Sequence, residues 1–80
     1  MDKKDDWLIA YVKAIQADGC TTPEIDARAA MAIEFGISEN WAYELIRQIV
    51  QRYPQFHLEK VGIMYGDGKT HPEWELTWRD

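Results

Sequence analysis

Pro54 splits the chain into two stretches with different hydrophobic periods, and that split limits what the chain can fold into. Before it, apolar residues recur at spacings of three and four, the period of helices with one buried stripe. After His57 they alternate with polar residues, the period of strands with one buried side. The proline enforces the change locally: it has no amide donor, and its ring restricts the residue before it. Helices first and strands last predict an α+β fold. Eighty residues, 46% of them apolar, suit a single domain over 1–80 with one modest core. A core this small leads us to expect a homodimer that covers leftover apolar surface.

The first helix is expected to start near Asp5 or Asp6, whose carboxylates can cap free amides and favour the positive end of the helix dipole. Its inward stripe is Trp7, Leu8, Tyr11, Val12 and Ile15, and Asp18-Gly19 ends it. Thr22-Pro23-Glu24 reads as a second start, with a capping hydroxyl, a proline at the first helical position and an acid in the first turn. That helix is expected to face inward through Ile25, Ala29, Ala32 and Ile33, with Phe35 near its end, and to stop at Gly36 in the left-handed conformation. Ser38 is placed to cap a third helix whose core positions are Ala42, Leu45, Ile46, Ile49 and Tyr53. Asn40, Tyr43, Glu44, Arg47, Gln48 and Gln51 are left on its outer side.

Leu58, Val61, Ile63 and Tyr65 include a short alternation, and Trp74, Leu76 and Trp78 alternate with Glu73, Glu75, Thr77 and Arg79. The residues between, Gly66 to Pro72, are rich in turn formers and longer than a two-residue hairpin loop. Two antiparallel strands around a polar tip are therefore expected. Strand alternation puts Trp74 and Trp78 on one side without saying which.

Charge is distributed unevenly. Residues 1–40 carry eight acids against four bases, residues 41–72 four bases against three acids, and the last eight residues a net of −2. The total is −5, and the isoelectric point is near 4.9. Few cations are present to meet phosphates, which supply most non-specific affinity for nucleic acid. Cys20 is the only cysteine, so no disulfide can form within the chain. The early apolar run, Trp7 to Val12, is far shorter than the ~20 residues a membrane span needs. No membrane partner and a cytoplasmic location are the expectations.

Catalysis finds no support in the residues. Two histidines and one cysteine form no nucleophile–base set and no zinc-ligand spacing, so neither catalytic residues nor a metal or cofactor are expected. Gly66-Asp67-Gly68 lies in a hairpin and lacks the strand-to-helix setting of a phosphate loop. His57 is expected to be structural.

Three stretches together resemble the winged helix-turn-helix family, over about residues 22–79: Gly-Ile-Ser-Glu-Asn-Trp-Ala-Tyr-Glu-Leu-Ile-Arg from Gly36 to Arg47, Phe-His-Leu-Glu-Lys-Val from Phe56 to Val61, and Pro-Glu-Trp-Glu-Leu-Thr from Pro72 to Thr77. The resemblance implies a three-helix bundle with a C-terminal two-stranded antiparallel wing. It further implies a sequence-specific transcriptional regulator whose third helix enters the major groove of double-stranded DNA. The groove-facing residues it implies are Asn40, Tyr43, Arg47 and Gln48, with Lys69 and His71 at the wing tip. Asn and Gln pair with adenine and Arg with guanine. Glu39 and Glu44 depart from the basic or small polar residues common at those places in the family.

That departure supplies a rival expectation. A winged-helix scaffold can take a protein partner instead, since fold does not dictate function. An acidic surface with large aromatics suits a basic protein, and the chain then resembles the small acidic inhibitors that phages encode against host proteins. Glu39, Trp41, Tyr43 and Glu44 would form that contact.

Overall fold

The computed structural model describes residues 2–64 and 66–80, those at 63 and 64 by backbone alone. The place expected for Tyr65 on the first strand lies outside the described residues. The chain runs α1 (Lys3–Ala17), β1 (Thr22–Pro23), α2 (Glu24–Phe35), α3 (Glu39–Arg52), β2 (Phe56–Met64) and β3 (Thr70–Trp78). It is an α+β fold of three helices and one antiparallel sheet in the order β1-β3-β2. The sheet has a strand more than the expected two. Thr22 pairs with Leu76 and Pro23 with Glu75, so β1 lies on the outer side of the hairpin's return strand.

That short strand corrects the expected start of α2. Thr22 is extended and buried at 1% exposure, and its hydroxyl has no hydrogen-bond partner, so it caps nothing. Pro23 takes the cap position instead of the first helical one. The start of α1 also moves. Asp2 is its cap, accepting from the Lys4 amide at 2.8 Å, while Asp5 and Asp6 fall in the first turn. Asp5 is drawn inward because α3 supplies its partners: Arg52 Nη2 donates to it at 2.7 Å and the Tyr53 hydroxyl at 3.1 Å.

The core is Leu8 and Val12 of α1, Ala27 and Met31 of α2, Ala42, Ile46 and Ile49 of α3, Phe56 of β2 and Leu76 of β3. In α1 and α3 these are the expected stripes. Trp7 is half-buried, stacked on Tyr11 at 4.9 Å and edge-on to Phe35 at 5.8 Å. In α2 the expected inward stripe holds only in part: Ala32 and Phe35 pack against the core, but Ile25 and Ile33 are exposed and Ala27 and Met31 take the inside.

The hairpin is in continuous register from Phe56↔Trp78 to Met64↔Thr70. Trp74, Leu76 and Trp78 share a side, and buried Leu76 marks it as the side facing the helices. Burial decreases from there towards the tip: Trp78 packs edge-on to Phe56 at 4.9 Å, whereas Trp74 is 45% exposed. Gln16 of α1 holds the base of the strand, accepting from the Trp78 amide at 2.6 Å and donating to its carbonyl at 2.9 Å.

Candidate functional site

Helices α2 and α3 are joined by three residues, Gly36-Ile37-Ser38, and each is fixed by a separate device. Gly36 has φ +63°, the left-handed conformation that closes a helix at low cost only for glycine. Ile37 donates its amide back to the Ala32 carbonyl at 3.0 Å. Ser38 Oγ accepts from the Trp41 amide at 3.1 Å, as its place in the sequence predicts. A turn this short leaves α3 starting directly beside the end of α2.

The turn sets the outer face of α3. Asn40, Glu44, Arg47 and Gln48 are exposed there, and Glu39 starts the helix beside them. Tyr43 is half-buried at the border with α2, between two guanidinium groups: that of Arg28 lies 4.5 Å from its ring centre and that of Arg47 5.7 Å. Guanidiniums over an aromatic face are attracted by its quadrupole. Arg28 reaches this place from α2 while also donating through Nε to Glu24 at 3.2 Å. The hydrogen bond to Glu24 raises the Arg28 pKa above its ordinary value. Arg28 was not among the residues expected from the sequence. Its i,i+4 pairing with Glu24 is readable there, but its position across from Tyr43 needs the α2–α3 packing.

At the tip of the β2–β3 hairpin, Lys69 is exposed and its amide donates to Asp67 Oδ1 at 2.9 Å, while His71 Nε2 is 3.1 Å from Asp67 Oδ2. The backbone bond from Lys69, then that from His71, lowers the Asp67 pKa below the usual carboxylate range. Asp67 thus organises the turn, and His71 is part of that turn. The structure brings Tyr43 and Arg47 together on α3, and places Lys69 and His71 on the hairpin.

Most arginines are engaged within the fold. Arg28 pairs with Glu24, Arg52 with Asp5 and Arg79 with Glu59, and Arg47 lies against Tyr43. Large apolar side chains, by contrast, are left in solvent: Ile33 at 84%, Ile25 and Trp41 each at 51%, besides Trp74. On the sheet side turned from the helices, Glu59 stands directly opposite Glu75, an unfavourable like-charge pair, with Glu73 two residues along β3. Elsewhere, a groove of about 550 Å³ runs between α1 and the hairpin base, lined by Ile9, Ala10, Lys13, Tyr53 and Trp78.

Among the described residues no group of three His, Cys, Asp or Glu could hold a metal ion, and no helix is long and apolar enough to cross a membrane. The chain matches no protein-family model, no curated protein and no solved structure.

Proposed function

We propose that this chain is a protein-binding module on a winged helix-turn-helix scaffold, and that the outer faces of α2 and α3 take a basic, partly apolar surface of another protein. The three-residue turn, the Ser38-capped α3 and the hairpin that follows it support the scaffold. One observation carries the choice of partner: three of the four arginines, Arg28, Arg52 and Arg79, form ion pairs with acids of the chain, while Ile25, Ile33 and Trp41 are exposed. Phosphate binding needs free cations, whereas interface hot spots favour large side chains such as Trp that become desolvated. Glu39 and Glu44 next to Trp41 on α3 add charge that suits a basic partner and repels phosphate.

DNA binding is the second reading, and the Arg28–Tyr43–Arg47 arrangement with exposed Asn40 and Gln48 favours it. Two titrations followed by amide NMR separate the readings, one with a cationic amphipathic helical peptide and one with duplex DNA. The proposal expects shifts at Ile33, Trp41 and Glu44 with the peptide. Shifts confined to duplex and centred on Asn40, Arg47 and Lys69 would replace it with the DNA reading.

A further inference from the structure

The two outer sides of the β2–β3 hairpin are treated differently. Arg79 donates to the Gln55 carbonyl at 2.9 Å, in step with the β2–β3 register. That bond fixes which residues face across the ladder: odd-numbered residues of β2 and β3 bond to each other, and even-numbered ones point their amides and carbonyls outwards. On β3 several of these outward groups are managed. Leu76 is paired to Thr22, Trp78 is held by Gln16, and Pro72 has no amide to offer.

On β2 only Phe56 is managed, its amide donating to the Tyr53 carbonyl at 3.0 Å. Leu58, Lys60 and Gly62 present outward backbone groups that no other described residue pairs. The strand has no proline, and its register with β3 has no bulge. An open, straight edge of this kind is a template for another strand.

From this we infer that the outer edge of β2 pairs antiparallel with β2 of a second copy of this chain, about a two-fold axis at Val61. Outward-facing residues must meet outward-facing ones, which leaves few registers. Registers centred on Leu58 or Glu59 need the Phe56 amide, which Tyr53 already holds. The one centred on Glu59 also sets that carboxylate against itself, and the one centred on Lys60 does the same with the ammonium. With the axis at Val61, Lys60 of each copy meets Gly62 of the other, and Leu58 meets Met64. Val61 faces its own copy, no like charges are opposed, and the two helical bodies lie at opposite ends of a six-stranded sheet. Each outward pair exchanges both backbone hydrogen bonds.

Val61 lies at a close, non-hydrogen-bonded pair of the new ladder, where opposed Cα atoms come within disulfide reach. In full-length chain carrying Cys20→Ser, Val61→Cys is expected to oxidise to a covalent dimer under mild air oxidation, and Glu59→Cys is not. Sedimentation of the unmodified chain at high-micromolar concentration is expected to show a dimer. Lys60→Pro removes an outward amide without touching the β2–β3 bonds, and should weaken dimerisation on the order of 100-fold while leaving the helical circular dichroism unchanged. A monomer at that concentration overturns the inference. So does a dimer that Lys60→Pro leaves intact, which would belong to another surface such as the outer side of α2, or cross-linking through Glu59→Cys in place of Val61→Cys.

Discussion

Helices α2 and α3 are neighbours of similar length and are packed on the same core, yet their two faces are built differently. α3 is apolar inside, through Ala42, Ile46 and Ile49, and polar outside, through Asn40, Glu44, Arg47, Gln48 and Gln51. α2 is apolar on both sides: Ala27 and Met31 face the core, while Ile25 and Ile33 face solvent with half-buried Ala29 between them in sequence. Asp26 and Glu34 are exposed on α2 as well, so its apolar surplus is a second stripe beside the buried one. The surplus on α2 belongs to a surface, and Trp41 at the start of α3 adds to the same inventory of exposed apolar side chains.

The contrast is easiest to break from inside. Met31→Ala empties a fully buried site and is expected to cost about 2–5 kcal/mol in chemical denaturation. A negligible cost would mean that α2 is turned the other way. Next comes Asp5→Ala, which removes the carboxylate joining α1 to Arg52 and Tyr53 and should cost about 2 kcal/mol, since hydrogen bonds to charged groups are the stronger ones. Gly36→Ala places a side chain at φ +63° and is expected to lower stability by about 1 kcal/mol, read as a fall in Tm. Ile33→Ala, at the outer face, should stay within about 0.5 kcal/mol of the parent, because its side chain packs on little. A loss comparable to that of Met31→Ala would erase the distinction between the two faces.

The smallest effect is confined to the tip of the β2–β3 hairpin. The folded Asp67 pKa lies below its unfolded value, so its hold on the turn is complete above the unfolded pKa and is released as pH falls through the folded one. An NMR acid titration should therefore move the Lys69 amide at lower pH than an ordinary carboxylate would.

α3 was legible in sequence because every signal agreed: a serine cap, one apolar stripe, polar residues opposite, and a proline beyond its end. α2 offered two stripes. Residue size favours Ile25 and Ile33, and the charges of Glu24 and Arg28 argue against the side that is buried. Their mutual ion pair removes that objection only once the fold exists, since Glu24 is then 4% exposed. The strand β1 is two residues long and too short to carry any period, so only its pairing with Glu75 and Leu76 defines it. Asp5 and Asp6 were the starts expected for α1, but Asp2 caps the helix and Asp5 lies in its first turn, bonded to Arg52. At the candidate site, Asn40, Glu44, Arg47 and Gln48 were readable from helical spacing. Arg28 and the solvent-facing isoleucines depend on how α2 is turned.

The most direct test of the account is the anisotropy of labelled random duplex DNA titrated with the full chain at about 50 mM salt and again at about 200 mM. A chain in which Arg28, Arg52 and Arg79 are paired with its own acids and α3 carries Glu39 and Glu44 predicts no binding at either salt. Binding that is tight at low salt, collapses at the higher one and is lost in Arg47→Ala would contradict it and put α3 on DNA.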